Sequence, residues 1–271
     1  MFFDDRLELF HQTRVINWHD HVWYSPDGGL REWDIDRMVA HARLLGISKT
    51  IVSLPDTRGF CTPERVERAN NVTIKALEKY PDDLCGYVYI DPIMGRYALY
   101  EIDRCVQEHG FIGVKLYHQF AMDDPAQYPI IEKCIELDIP ILMHAGKFRD
   151  EEPYNKTKVS NSTHMIAAAK RYPEATFQMA HIGGGGDWYW QLKGMEDQKN
   201  IFIDISGSVH DSGMIEKTVK TFGAERVLFA TDGSYSSSIG KLLSARITDD
   251  EIKTILDNPT FARYLERGAR K

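Results

Sequence analysis

Near the start of the chain, Val15-Ile16-Asn17-Trp18-His19-Asp20-His21 runs from β-branched residues into a His-Asp-His triplet. Val15 and Ile16 predict a buried strand. In an extended chain residues i and i+2 share a face, so His19 and His21 project together from one strand end. Two neutral imidazoles on one face can hold a divalent metal ion. Two unrelated histidines give the same spacing, and a motif this short does not choose between the readings. The ends of the other strands have to decide.

Those ends are rich in the same chemistry. Lys115 sits in Gly113-Val114-Lys115-Leu116, His144 in Leu142-Met143-His144-Ala145-Gly146, His181 in Met179-Ala180-His181-Ile182-Gly183-Gly184 and Asp232 in Leu228-Phe229-Ala230-Thr231-Asp232. The chain has 10 histidines, and His19, His21, His144 and His181 all fall at predicted C-terminal strand ends, which chance placement does not explain. Imidazole and carboxylate are metal ligands and acid/base groups; the lysine binds metal only if modified. His144 and His181 have the alternative of satisfied core histidines, and Asp232 that of a helix cap.

The elements that position these residues alternate. Short strands, apolar on both faces, are predicted to end near His21, Leu54, Ile90, Leu116, Met143, Ala180, Ile205 and Ala230, with a helical pattern after each. Thr62-Pro63 opens one helix as cap and first-turn proline, and Asp34 is expected to cap an earlier one. Asp204 falls inside the seventh strand and reads as structural. Buried parallel strands alternating with helices predict an α/β fold, a (β/α)8 TIM barrel with some distortion, spanning 1–271 as one domain. The doubly wound alternative lacks its glycine fingerprint after the first strand.

Bulk properties are ordinary for a soluble globular protein. Net charge is −7 with both signs interspersed, so the chain carries no basic surface for nucleic acid. No apolar run is long enough to cross a bilayer. The N-terminal Met-Phe-Phe-Asp-Asp-Arg has acids where a secretory leader needs a basic region. Cys61, Cys85, Cys105 and Cys134 lack Cys-x-x-Cys spacing and read as free thiols. A cytoplasmic location is expected, with a homo-oligomer as an open option.

Taken together, these motifs and Ile16-Asn17-Trp18-His19-Asp20-His21 resemble the amidohydrolase superfamily, and more closely its amidohydrolase-2 branch of decarboxylases, hydratases and lactonases. The likeness runs from about residue 15 to the C-terminus. It implies His19, His21 and His144 as metal ligands and Asp232 as a ligand that also carries a proton. His181 is implied as an acid/base group, or with Lys115 as a ligand if a second metal binds. The expected cofactor is a divalent metal, zinc first, with manganese or iron as options. One position departs from the pattern: Asn17 stands where the family usually has Asp.

The resemblance implies activation of water to cleave an amide, ester or lactone bond. The alternative is non-oxidative decarboxylation or hydration of a small anionic acid at the same site. Lys115, Arg58 and His118 are the expected substrate contacts, with a buried ion pair or a solvated role as their ordinary readings. A third reading, a barrel that binds without catalysis, has only Asn17 in its favour. The Trp188-Tyr189-Trp190 run reads equally as a pocket wall, as packing or as a subunit contact. The glycines from Gly183 to Gly186 lack the Lys-Ser/Thr of a phosphate loop and read as close backbone approach.

Overall fold

The strands form where aliphatic residues run together, and the helices where apolar residues recur every three to four positions. The computed structural model describes residues 6–56, 60–146, 160–184 and 187–268. Eight parallel strands follow one another round the sheet in chain order. They are β1 (Val15–His21), β2 (Ile47–Ser53), β3 (Leu84–Tyr89), β4 (Gly113–Leu116), β5 (Ile141–Met143), β6 (Phe177–Met179), β7 (Ile201–Asp204) and β8 (Val227–Leu228). The two ends of the sheet meet. Trp18 N donates to Phe229 O (2.9 Å) and Asp232 N to His19 O (2.8 Å), tying the chain after β8 to β1. A parallel sheet in chain order, with helical crossovers and joined ends, is a (β/α)8 barrel, as expected.

Two apolar layers hold it. Ile16, Trp18, Ile51, Tyr87, Leu142, Phe202 and Leu228 fill the barrel interior. The last helix, Pro259–Gly268, closes the end opposite the histidines. Its Phe261 ring lies edge-on to Trp18 at 5.1 Å and to Phe202 at 4.7 Å. Tyr264 Oη donates to Thr176, at the entry to β6. The larger cluster lies between strands and helices and includes Val39, Val66, Ile102, Ile131 and Leu242. With one end plugged, polar side chains gather at the other, where the strands finish.

Local signals behave as their chemistry dictates, with one correction. Thr62 Oγ1 accepts from Arg65 N, and Pro63 takes the first position of the helix Pro63–Lys79. Asp34 is not a cap: its helix begins at Glu32, and Asp34 lies in the first turn, paired with Arg31 at 3.1 Å. Its charge there favours the positive helix terminus. All four cysteines are free thiols. Among the described residues no helix is long and apolar enough to cross a membrane.

Candidate metal centre

The first strand does not run flat into its histidines. Its register with β2 shifts between Asn17 and Asp20, a bulge of the kind that re-aims side chains beside functional sites. His19 and His21 both turn toward Asp232, with ring centroids 5.0 Å apart. His21 Nε2 lies 3.1 Å from Asp232 Oδ1, and His19 Nε2 lies 3.7 Å from the same oxygen. Asp232 holds a left-handed backbone (φ 46), and so does His181 (φ 64). Such conformations cost roughly 1–3 kcal/mol each in a residue other than glycine and persist where surrounding bonds over-determine them.

Those bonds converge on Asp204, the last residue of β7. Its Oδ2 accepts from His19 Nδ1 (3.1 Å) and Gln178 Nε2 (2.9 Å). Its Oδ1 accepts from His181 N (3.0 Å), Ser206 N (3.1 Å) and Ser206 Oγ (2.5 Å). Asp204 therefore joins β1, β6 and the chain after β7, and its side chain is fully buried. Sequence reasoning placed it inside a strand as a structural residue; it is the hub of the cluster. The available signal was an acid within one or two residues of a strand end in a barrel.

The hydrogen bonds also assign protons. A carboxylate only accepts, so His19 Nδ1 carries hydrogen and its Nε2 keeps a lone pair. His21 Nδ1 lies 3.2 Å from the Ser53 carbonyl and 3.3 Å from Ser53 Oγ, and its Nε2 faces Asp232 Oδ1 at 3.1 Å. The Nε2 atoms of His19 and His21 thus face one carboxylate oxygen. Acceptors this close repel one another unless a cation or a proton lies among them, and here the Lys115 ammonium is the cation that reaches His19 Nε2. His19, His21 and Asp232 can each offer one ligand atom with all three within 4.8 Å of one another. This set fits a divalent cation. His19, His181 and Asp204 also lie within that limit, but the five hydrogen bonds on Asp204 leave that carboxylate no free direction.

His144 stands beside the set. Its Nδ1 is 3.3 Å from His181 Nε2, and its ring packs on Tyr117 at 4.4 Å. The Lys115 ammonium, on β4, donates to His19 Nε2 at 3.0 Å and is fully buried. Burial pulls Lys115 down to about 8, with Asp232 and Asp204 opposing. Burial, then Lys115, brings His19 down to about 4. Burial, followed by His181 and Lys115, holds His144 well below the ordinary imidazole range. Burial alone would raise Asp232, but the imidazoles of His19, His21 and His181 keep it ionised well below the usual carboxylate range. Burial thus favours the neutral forms of His19, His144 and His181, and Asp232 is charged at neutral pH, the forms that bind metal.

Of the other expected contacts, His118 is buried against Tyr117, ring centroids 4.5 Å apart, and burial draws it down to about 4. Arg58 lies outside the described residues. Trp188 packs inward and donates to Asp211. Tyr189 and Trp190 are exposed, under the ammonium groups of Lys217 and Lys193. Close backbone approach is what Gly184 supplies, since a Cβ on Gly146 would lie 2.6 Å from Gly184 Cα; Gly185 and Gly186 lie outside the described residues.

Imidazoles and carboxylates gathered at the C-terminal ends of β1, β5, β6 and β8 are the layout of a barrel enzyme. A family model described as amidohydrolase, of the amidohydrolase-2 type, matches residues 16–271, and the chain belongs to that family. It is 22% identical over 236 residues to 2-keto-4-carboxy-3-hexenedioate hydratase of Sphingobium sp. (strain NBRC 103272 / SYK-6), covering 72% of this chain and 69% of that protein. It is 22% identical over 276 residues to gamma-resorcylate decarboxylase of Polaromonas sp. (strain JS666 / ATCC BAA-500), covering 80% of this chain and 84% of that protein. A solved dihydroxybenzoic acid decarboxylase from Polaromonas sp. JS666, with bound manganese and the inhibitor 2-nitroresorcinol, shares the fold. Its TM-score is 0.71 at 17% identity, covering 96% of this chain and 98% of that one.

Proposed function

We propose that this barrel is a metal-dependent lyase acting on a small anionic acid, with non-oxidative decarboxylation as its reaction. The observation that carries this reading is the fully buried Lys115 ammonium, 3.0 Å from His19 Nε2 at the floor of the site. That nitrogen has one lone pair, so a metal bound there and the lysine hydrogen bond exclude each other. Loading the site therefore releases a buried ammonium that needs a new anionic partner, and a substrate carboxylate supplies one. A neutral amide or ester does not. The named relatives, a hydratase and a decarboxylase, favour the same side over water-driven bond cleavage.

His19, His21, His144 and Asp232 would hold the metal, and when bound it would supply a Lewis acid for the substrate oxygens. Zinc suits three imidazoles and one carboxylate; manganese is the competitor, since one relative of the same fold carries it. Lys115 binds and orients the substrate carboxylate. Asp232 Oδ2, the oxygen turned away from His21 and 3.7 Å from His181 Nδ1, moves the proton. The neighbouring imidazoles hold its pKa well below the usual carboxylate range, so a proton it takes from solvent is readily given away. As the carbon–carboxylate bond breaks, its electron pair stays on carbon and takes that proton, and carbon dioxide leaves.

The test is a panel of small aromatic and unsaturated carboxylic acids, followed by released carbon dioxide and by water addition, beside a panel of lactones, esters and amides. Carbon dioxide release, absent in Asp232→Ala and His144→Ala, supports decarboxylation. Hydration of an unsaturated acid moves the reading to the hydratase relative's side. Lactone or amide cleavage with neither lyase reaction refutes it.

A further inference from the structure

We infer that Ser206, held by Lys241, is a positioning residue that locks His181 in its Nδ1–H form and thereby keeps His144 Nε2 bare for the metal. The second half rests on the proposed ligand role of His144; the tautomer itself does not.

The steps follow from hydrogen counting. Ser206 Oγ lies 2.5 Å from Asp204 Oδ1, which can only accept, so the one hydroxyl hydrogen points there. The same oxygen lies 2.8 Å from His181 Nδ1 and has only lone pairs left to offer. His181 Nδ1 therefore carries hydrogen, and its Nε2 is an acceptor. That nitrogen is 3.3 Å from His144 Nδ1, which must then be the donor. A His144 hydrogen fixed on Nδ1 leaves Nε2 without one. One serine hydroxyl sets the protonation pattern of two imidazoles in turn.

Lys241 holds the serine in place. It lies on the helix Tyr235–Ser244, which begins three residues after Asp232. Its buried ammonium donates to Ser206 O (3.2 Å) and Gly207 O (3.0 Å). Ser237 Oγ, from the same helix, adds a bond to Gly207 O at 3.0 Å. The clamped segment lies flat on the imidazole: a Cβ on Gly207 would stand 3.0 Å from His181 Cβ, and Gly207 has φ 88. The chain after β7 is thus fixed from the helix that follows β8, and His181 receives that order through one hydroxyl. A buried lysine bound to two backbone carbonyls is a costly way merely to pack a helix; it makes sense where the carbonyls must not move.

The test uses the full chain labelled with 15N-histidine, metal-free and zinc-loaded, with tautomers read from long-range proton–nitrogen couplings at pH 8. In the wild type His181 should be protonated at Nδ1. Ser206→Ala should convert it to a mixture of tautomers, and Ser206→Thr, which keeps the hydroxyl, should restore it. Lys241→Met should reproduce part of the Ser206→Ala change, and Lys241→Arg should repair it; this pair decides if Ser206→Ala does not fold. Zinc affinity should fall about 10–100-fold in Ser206→Ala, the usual cost of losing a partner that orients a ligand. His181 remaining wholly in the Nδ1–H form in Ser206→Ala, or in a folded Lys241→Met, overturns the inference. The expected tautomer change with unaltered zinc affinity would support the lock on His181 and overturn the second half, removing His144 from the ligand set.

Discussion

Replacing Asp204 by asparagine changes almost no volume and one atom's chemistry. The carboxylate accepts five hydrogen bonds, three on Oδ1 and two on Oδ2. Asparagine keeps its one oxygen for the larger group, which places its amide nitrogen against His19 Nδ1–H and the Gln178 amide. Gln178 can adapt. Its Oε1 is buried with no hydrogen-bond partner among the described residues, so turning the amide over presents an acceptor to the new NH2 and gives up only the long bond from Nε2 to Trp18 O (3.4 Å). His19 adapts only by moving its hydrogen to Nε2, which removes the lone pair the metal needs. One buried bond is repaired and one is lost, so the stability cost should be about 1–3 kcal/mol, a drop of a few degrees in Tm for a chain of this size. Metal affinity should fall by far more than that modest change suggests, about 10–100-fold. The assay pairs urea unfolding of the metal-free protein with zinc titration by competition against a chelator. Asp204→Asn binding zinc as tightly as the wild type would falsify both the tautomer assignment of His19 and the place given to Asp204.

Lys241 predicts a pH effect on stability. Burial holds it down to about 8, against 10.5 when unfolded, with Asp204 opposing. The unfolded chain therefore binds more protons between those values, and stability should rise with pH across that window, by up to about 3 kcal/mol. Below pH 8 both states are protonated and the burial cost is fully present; the stability difference between the wild type and Lys241→Met in urea unfolding should be constant there and change only across the window. Gly146→Ala forces a Cβ to within 2.6 Å of Gly184 Cα at φ 103. It should cost more than about 1 kcal/mol, push the chains after β5 and β6 apart, and weaken zinc binding in the same chelator assay. Phe261→Ala empties the plug under Trp18 and Phe202. It should cost about 3–5 kcal/mol in urea unfolding while leaving metal content by elemental analysis unchanged.

Much of this was legible because barrel chemistry is written in residue types at strand ends. His19, His21, His181 and Asp232 could be gathered from spacing alone, since each closes or follows a run of buried aliphatics. Asp204 was lost to a boundary error of a single residue: an acid inside a strand reads as structural, whereas at its last position it points into the site. Asp34 failed as a cap because its helix starts two residues earlier than the apolar pattern indicates, at Glu32. The bulge between Asn17 and Asp20 has no sequence signature, yet it decides how both histidines meet Asp232. Hydrogen bonds such as Lys241 to Ser206 span 35 positions along the chain, and no local pattern contains them.

The bulge also settles how much weight Asn17 can bear. By the resemblance, an acid is usual at that position, and its replacement was the one feature favouring a barrel without catalysis. In the folded chain Asn17 Nδ2 donates to Asp20 Oδ2 (3.2 Å) and to Thr231 Oγ1 (2.6 Å). Its Oδ1 accepts from Thr231 N at 3.0 Å, next to Asp232. Asp20 also accepts from His21 N (2.8 Å) and Thr231 Oγ1 (2.6 Å). A buried carboxylate therefore does sit here, three residues later in the chain. An acid at position 17 as well would set two carboxylates against each other in a buried site, and burial already raises Asp20. The amide is the group that can donate to Asp20 while accepting from the backbone that carries Asp232. Asn17 is thus the residue its neighbours require, and it gives no reason to read the centre as a relic.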